Sequence, residues 1–257
     1  MQKLGIYVGI EISDSFEDRI AAIKETGFDF VCLNFEEGFP LTPDWETQLK
    51  IVNKYALPVE NVHLTGAGMN TIWQDNAEGE YVKNRLIKEI EGLFHLGIKC
   101  GVAHVTWGKG LPTMSSFEIG LERFKEIANI AEKYQVQLAL ENSVYPQFLR
   151  CVLDNIQSPY IGFCYDSGHE NAFSPRENYL RSYSNRLFAM HLHDNHGDED
   201  EHLIPLQGTI NWLEKVGELK QCSLFNEQLV LESVAHGENL YDYLQLAHQA
   251  AKKLASL

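Results

Sequence analysis

Six ionisable residues of this 257-residue chain each stand at the end of a short apolar run. His63 follows Asn61-Val62, His104 follows Val102-Ala103, and Glu141 follows Leu138-Ala139-Leu140. Asp166 follows Phe163-Cys164-Tyr165, His193 closes Met190-His191-Leu192-His193, and Glu232 follows Leu229-Val230-Leu231. A carboxylate or imidazole in such a place is costly to bury unless it is paired or bound to a metal. If the six converge, they repel one another or stay partly protonated unless a cation joins them. A divalent metal ion resolves that conflict, and His with carboxylate is a ligand set suited to zinc or manganese. Taken singly, each residue also reads as a helix N-cap or a hydrogen-bonded surface group.

The segment after His193 adds Asp194-Asn195-His196-Gly197-Asp198-Glu199-Asp200-Glu201-His202. Alone it reads as a solvated acidic loop, but Asp200-x-His202 can present two ligands to one ion. Gly208-Thr209-Ile210-Asn211-Trp212 then restarts the chain into a helix. His191 shares a strand face with His193 one layer deeper, where a packed, hydrogen-bonded histidine is expected rather than a ligand. His95 and His248 fall within helices and read as structural, and His196 and His236 fall in loops.

The elements that must position these residues alternate. Candidate strands are Leu4–Ile10, Phe28–Asn34, Val59–Leu64, Cys100–Val105, Gln137–Glu141, Ile161–Tyr165, Phe188–His193 and Leu229–Glu232. Most are continuously apolar, as parallel strands buried on both faces should be. Helical patterns lie between them. Ser115-Ser116-Phe117-Glu118 fits a capping box built on Ser115 and Glu118. Thr42-Pro43 fits an N-cap followed by a first-turn proline, and the last helix is expected near Leu240–Leu254. Eight strands alternating with helices predict an α/β chain, a single (β/α)8 TIM barrel spanning residues 1–257. A doubly wound open sheet is the rival, but Gly9-Ile10-Glu11-Ile12 after the first strand lacks the glycine fingerprint of that fold. In a barrel, all six strand ends meet at the rim where active sites are built.

Composition agrees. A 44% hydrophobic chain can fill one core, and barrels of about 250 residues are ordinary single domains. No apolar run approaches the roughly 20 residues that span a bilayer, so no membrane association is expected. The amino terminus lacks a signal peptide's apolar segment. Five scattered cysteines suit free thiols, which points to a cytoplasmic protein. A net charge of −15 disfavours a nucleic-acid partner.

Ala139-Leu140-Glu141-Asn142, Cys164-Tyr165-Asp166-Ser167-Gly168-His169, and His191-Leu192-His193-Asp194 with Asp200-Glu201-His202 and Gly208 carry a resemblance. In order and spacing they are similar to the xylose isomerase-like barrel superfamily, which holds sugar isomerases and epimerases as well as endonuclease IV. The isomerase and epimerase branch implies one metal on Glu141, Asp166, His193 and Glu232, with His169 touching substrate. It also implies proton transfer beside a carbonyl through a metal-stabilised enediolate, Glu141 and Glu232 serving as acid and base on opposite faces. The endonuclease branch implies up to three zinc ions on His63, His104, Glu141, Asp166, His169, His193, Asp200, His202 and Glu232, and phosphodiester hydrolysis. This chain departs from that branch in its DNA-handling parts. Gly66 and Ala67 replace an aromatic and an aliphatic residue, and the loop Asn34–Pro40 is acidic. The leading expectation is therefore an isomerase or epimerase of a small polyhydroxy carbonyl compound, such as a sugar or an inositol-derived ketone. A multinuclear zinc phosphodiesterase and a non-catalytic sugar or metal binder are the alternatives; the oligomeric state is open.

Overall fold

The computed structural model describes residues 2–10, 12–35, 42–108, 110, 115–223, 225 and 227–257. Strands β1 (Lys3–Tyr7), β2 (Phe30–Asn34), β3 (Val59–His63), β4 (Cys100–His104), β5 (Gln137–Glu141), β6 (Ile161–Asp166), β7 (Leu187–His191) and β8 (Gln228–Leu231) are parallel. They run in the order β7-β6-β5-β4-β3-β2-β1-β8. Closure falls just beyond β7. Leu192 bridges to Leu231, donating its N–H to Val230 at 2.9 Å and accepting from Glu232 at 3.1 Å. The chain is thus a single (β/α)8 TIM barrel, as its alternating pattern predicts.

The wrapping helices are α1 (Phe16–Thr26), α2 (Trp45–Lys54), α3 (Ala77–His95), α4 (Phe117–Tyr134), α5 (Pro146–Asn155), α6 (Ser167–Phe173), α7 (Tyr179–Ser182), α8 (Trp212–Leu219) and α9 (Leu240–Ala255). Their starts follow local cap chemistry. Ser15 accepts the Asp18 N–H and Asn76 accepts that of Gly79, each satisfying a donor that the helix leaves free. Two expected caps shift. Asp44, not Thr42, caps α2, and Ser116, not Ser115, caps α4 through the Ile119 N–H, so Glu118 forms no capping box with Ser115. In both cases a second capping residue stands just downstream, and the register that packs the apolar face decides between them. The acidic loop after β2 lies largely outside the described residues, at 36–41. Among the described residues no helix is long and apolar enough to cross a membrane.

The barrel interior is packed from below. Gly5 and Gly162 leave space for two aromatic rings. A Cβ added to Gly5 would lie 2.1 Å from the Phe30 ring, and one added to Gly162 would lie 2.2 Å from the Phe188 ring. A layer of small side chains, Cys100, Val102, Ala139, Cys164 and Ala189, forms a further buried cluster with Phe188 against it. Buried ionisable side chains gather at the strand ends. Phe30→Ala is expected to destabilise the protein by about 3–5 kcal/mol; a urea-denaturation loss below about 1 kcal/mol would show that this ring does not plug the barrel.

Candidate active site

Each strand end delivers one side chain to the rim. Glu141 ends β5, Asp166 ends β6 and His191 ends β7, all fully buried, while Glu232 directly follows β8. His63 and His104 end β3 and β4. Asp166 also caps α6, accepting the His169 N–H at 2.6 Å, which sets His169 in the first turn of that helix. Asn142 locks the neighbouring strand ends: its amide exchanges two 2.8 Å hydrogen bonds with the Asp166 backbone.

The structure brings all nine sequence-derived residues into one connected group. His63 and His104 place their Nε2 atoms 3.1 Å apart, and Glu141 Oε2 lies 3.3 and 2.9 Å from them. His169 Nε2 and His202 Nε2 meet Asp200 Oδ2 at 3.0 and 3.3 Å. His193 Nε2 lies 3.1 Å from Asp166 Oδ1, and its ring stacks on that of His202 at 3.9 Å. Space for His193 comes from Gly168, where an added Cβ would fall 1.9 Å from the imidazole.

His191 is the residue whose place the sequence concealed. It is buried, as expected, but its Nδ1 faces both glutamates, 2.9 Å from Glu141 Oε1 and 3.1 Å from Glu232 Oε2. The signal was the His-x-His spacing itself, since both histidines point into the barrel and β7 ends at His191 rather than His193. Trp107 also went unnoticed: it packs on His104 at the cavity mouth, over Gly66, whose added Cβ would lie 2.1 Å from its ring.

Burial alone would push the Glu141 carboxyl up, yet His191 and His104 hold it well below the usual carboxylate range. Glu232 behaves alike: burial raises it, and His191 beside it brings it down to about 2. Burial lowers His202, but Asp200 raises it to about 9. Charge pairing therefore outweighs desolvation at Glu141, Glu232 and His202.

These residues fit a divalent cation. His63, His169 and His202 set Nδ1 against the backbone carbonyls of Leu64, Asn142 and Glu232 at 2.9, 2.9 and 2.7 Å. A carbonyl only accepts, so Nδ1 carries a proton in each ring, which leaves Nε2 as the nitrogen that would ligate an ion on losing its own proton, the arrangement that orients metal-ligating histidines. Three buried atoms, His191 Nε2, His193 Nδ1 and Asp200 Oδ1, have no hydrogen-bond partner. The cavity above holds about 470 Å³ and is lined by Tyr7, Trp107, Val234, His236 and all of the ionisable group but Asp166 and His193. A cavity of about 550 Å³ opens at the other end of the barrel, around Leu57, Ile98 and Phe188. It is the larger, but the described residues lining it bring together no such convergence of ligands, and barrel active sites are built at the carboxyl-end rim.

Residues 20–255 match the family described as xylose isomerase-like TIM barrel. The chain belongs to that family. An uncharacterized protein of Methanocaldococcus jannaschii is 24% identical over 268 residues, covering 96% of this chain and 91% of the relative. A D-tagatose 3-epimerase-like protein superposes with a TM-score of 0.79 at 22% identity, over 99% of this chain and 98% of its own. The IolI protein, crystallised with a zinc atom, superposes at 0.80 and 16% identity, over 99% and 98%. Such structural likeness establishes the xylose isomerase-like architecture.

The histidine protons that now satisfy the carboxylates must leave when a cation takes their place. Zinc loading is therefore expected to release protons and to weaken as pH falls through the histidine range. Titration calorimetry in buffers of different ionisation enthalpy reads this directly, and a heat independent of the buffer would contradict it.

Proposed function

We propose that this barrel is a metal-dependent isomerase or epimerase that moves a proton beside the carbonyl of a small polyhydroxy compound. One observation carries the reading. Two buried carboxylates, Glu141 and Glu232, both meet His191 Nδ1, at 2.9 and 3.1 Å, and both line a cavity of about 470 Å³. Proton transfer that inverts or relocates a C–H bond needs one positioned group to take the proton and another to return one. The sugar epimerase-like fold relative points the same way.

Glu141, Asp166, His193 and Glu232 would hold the ion, zinc or manganese, with His191 facing the same carboxylates. When bound, that ion supplies Lewis-acid polarisation of adjacent carbonyl and hydroxyl oxygens. One glutamate takes the proton from the carbon beside the carbonyl, and the other returns a proton; substrate stereochemistry assigns the order. His169 hydrogen-bonds a substrate hydroxyl, and Trp107 narrows the mouth. The scattered thiols favour a reducing, cytoplasmic setting.

Incubation of the metal-loaded protein with a panel of ketoses and inososes in deuterated water is expected to exchange the proton next to the carbonyl. Glu141→Gln and Glu232→Gln should each lower that rate by about 10²–10⁴-fold. Absence of exchange across the panel counts against the reading.

A second reading, a multinuclear zinc phosphodiesterase, is favoured by the two outer groups, His63–His104–Glu141 and His169–Asp200–His202, each within 4.8 Å. Against it, no Lys or Arg stands among the described residues lining the cavity, whereas phosphate-backbone affinity depends on such cations. Three zinc ions per chain, with incision of an abasic-site duplex that Glu141→Gln abolishes, would establish this alternative. One ion and intact duplex exclude it.

A further inference from the structure

Asp194 is fully buried, and its carboxylate accepts four hydrogen bonds. The Asn195 and Ile210 N–H groups reach Oδ1 at 3.0 and 3.2 Å, and the Leu206 N–H and Trp212 Nε1–H reach Oδ2 at 3.0 and 2.8 Å. Two oxygens offer about four lone-pair sites, so the group is saturated and has nothing left for a metal. Its donors come from both ends of the segment between β7 and α8, and one side chain thereby ties the end of that segment to its beginning.

Neighbouring features tighten the knot. The Asp194 and Leu203 backbones exchange hydrogen bonds of 2.8 and 2.9 Å. A Cβ on Gly208 would lie 2.3 Å from Asp194 Oδ1, so only glycine allows the approach. Asn195 donates from Nδ2 to the Gly168 carbonyl at 2.8 Å, which reaches the turn that carries His169. The segment so clamped contains two non-glycine residues in the left-handed backbone region, His202 with φ 49° and Leu206 with φ 80°. Such conformations are uncommon for non-glycine residues and persist where the surroundings over-determine them. Leu206 supplies one of the four donors to Asp194. From this segment Asp200 and His202 project against His169.

We propose that Asp194 is a positioning residue, whose carboxylate fixes Asp200 and His202 against His169 and thereby sets how tightly that trio holds a divalent cation. The inference rests on reading His169, Asp200 and His202 as a cation locus beside the four-ligand site, the group that the second, multinuclear reading above fills with zinc. Zinc affinity of the metal-stripped full chain, measured by competition with a chromophoric chelator, tests it without any substrate. Asp194→Asn is expected to weaken binding by about 10- to 100-fold, as His202→Ala does, and the double variant to bind no more weakly than His202→Ala alone. That non-additivity is what a general loss of stability would not produce. Trp212→Phe, which removes one donor and keeps the ring packing, should weaken binding by about tenfold; it carries the same cycle with His202→Ala if Asp194→Asn fails to fold by circular dichroism. Wild-type affinity in a folded Asp194→Asn or Trp212→Phe variant, or independent multiplication of their effects with that of His202→Ala, overturns the proposal while leaving the metal reading intact. Wild-type affinity in His202→Ala overturns the outer metal locus and the proposal with it.

Discussion

Three carboxylates, Glu141, Asp166 and Glu232, are buried together at the barrel rim, and the remaining architecture of the site answers the cost of having them there. Charge in a low-dielectric interior is expensive when unpaired and strongly attracted when paired. The barrel below offers no relief, since its interior is closed by Phe30, Phe188 and a layer of Cys and Ala. Compensation therefore comes from the side, through histidines at strand ends, and those histidines need backbone carbonyls to fix their tautomers. Gly168 is glycine because His193 occupies the space of its missing Cβ. Asn142 spends its whole amide on holding two strand ends in register.

Much of this was legible in the sequence because its physics is local. An ionisable residue after an apolar run marks a strand end, and six such marks on alternating elements specify one rim. Offsets of a residue or two were not legible. β7 ends at His191 rather than His193, and the pairing of β6 with β7 shifts between Phe163 and Cys164. Nothing in the hydrophobic pattern reports such an irregularity. Since both histidines face inward, the pattern also could not say which one meets the glutamates. The helix starts show the same limit: Asp44 and Ser116 displace Thr42 and Ser115 because packing of the whole helix, not cap preference, selects among adjacent capping residues.

The acidic segment after β7 was the least legible part. Seven ionisable residues in nine positions look like solvated loop, and Asp198 and Glu199 are indeed exposed. Yet Asp194 and Asn195, at its start, are among the most deeply buried polar residues of the chain. Composition cannot separate them, because what distinguishes Asp194 is a set of donors 12, 16 and 18 residues downstream. Long-range saturation of one carboxylate is a tertiary property.

The same reasoning explains why ligand identity does not by itself dictate the reaction. A carboxylate flanked by imidazoles serves a proton transfer or a hydrolysis equally well; what separates them is how many lone pairs remain for cations and what the walls offer the rest of the substrate. Here Asp194 is withdrawn from the ligand pool by its own hydrogen bonds, while His191 Nε2, His193 Nδ1 and Asp200 Oδ1 are buried with no hydrogen bond among the described residues. The described walls of the cavity include Tyr7, Trp107 and His236 and no Lys or Arg. Aromatic and neutral hydrogen-bonding groups recognise a polyol, whereas a phosphodiester calls for fixed positive charge. On the proposed reading, the walls of the cavity, more than its candidate metal ligands, therefore favour carbonyl chemistry on a sugar-like substrate.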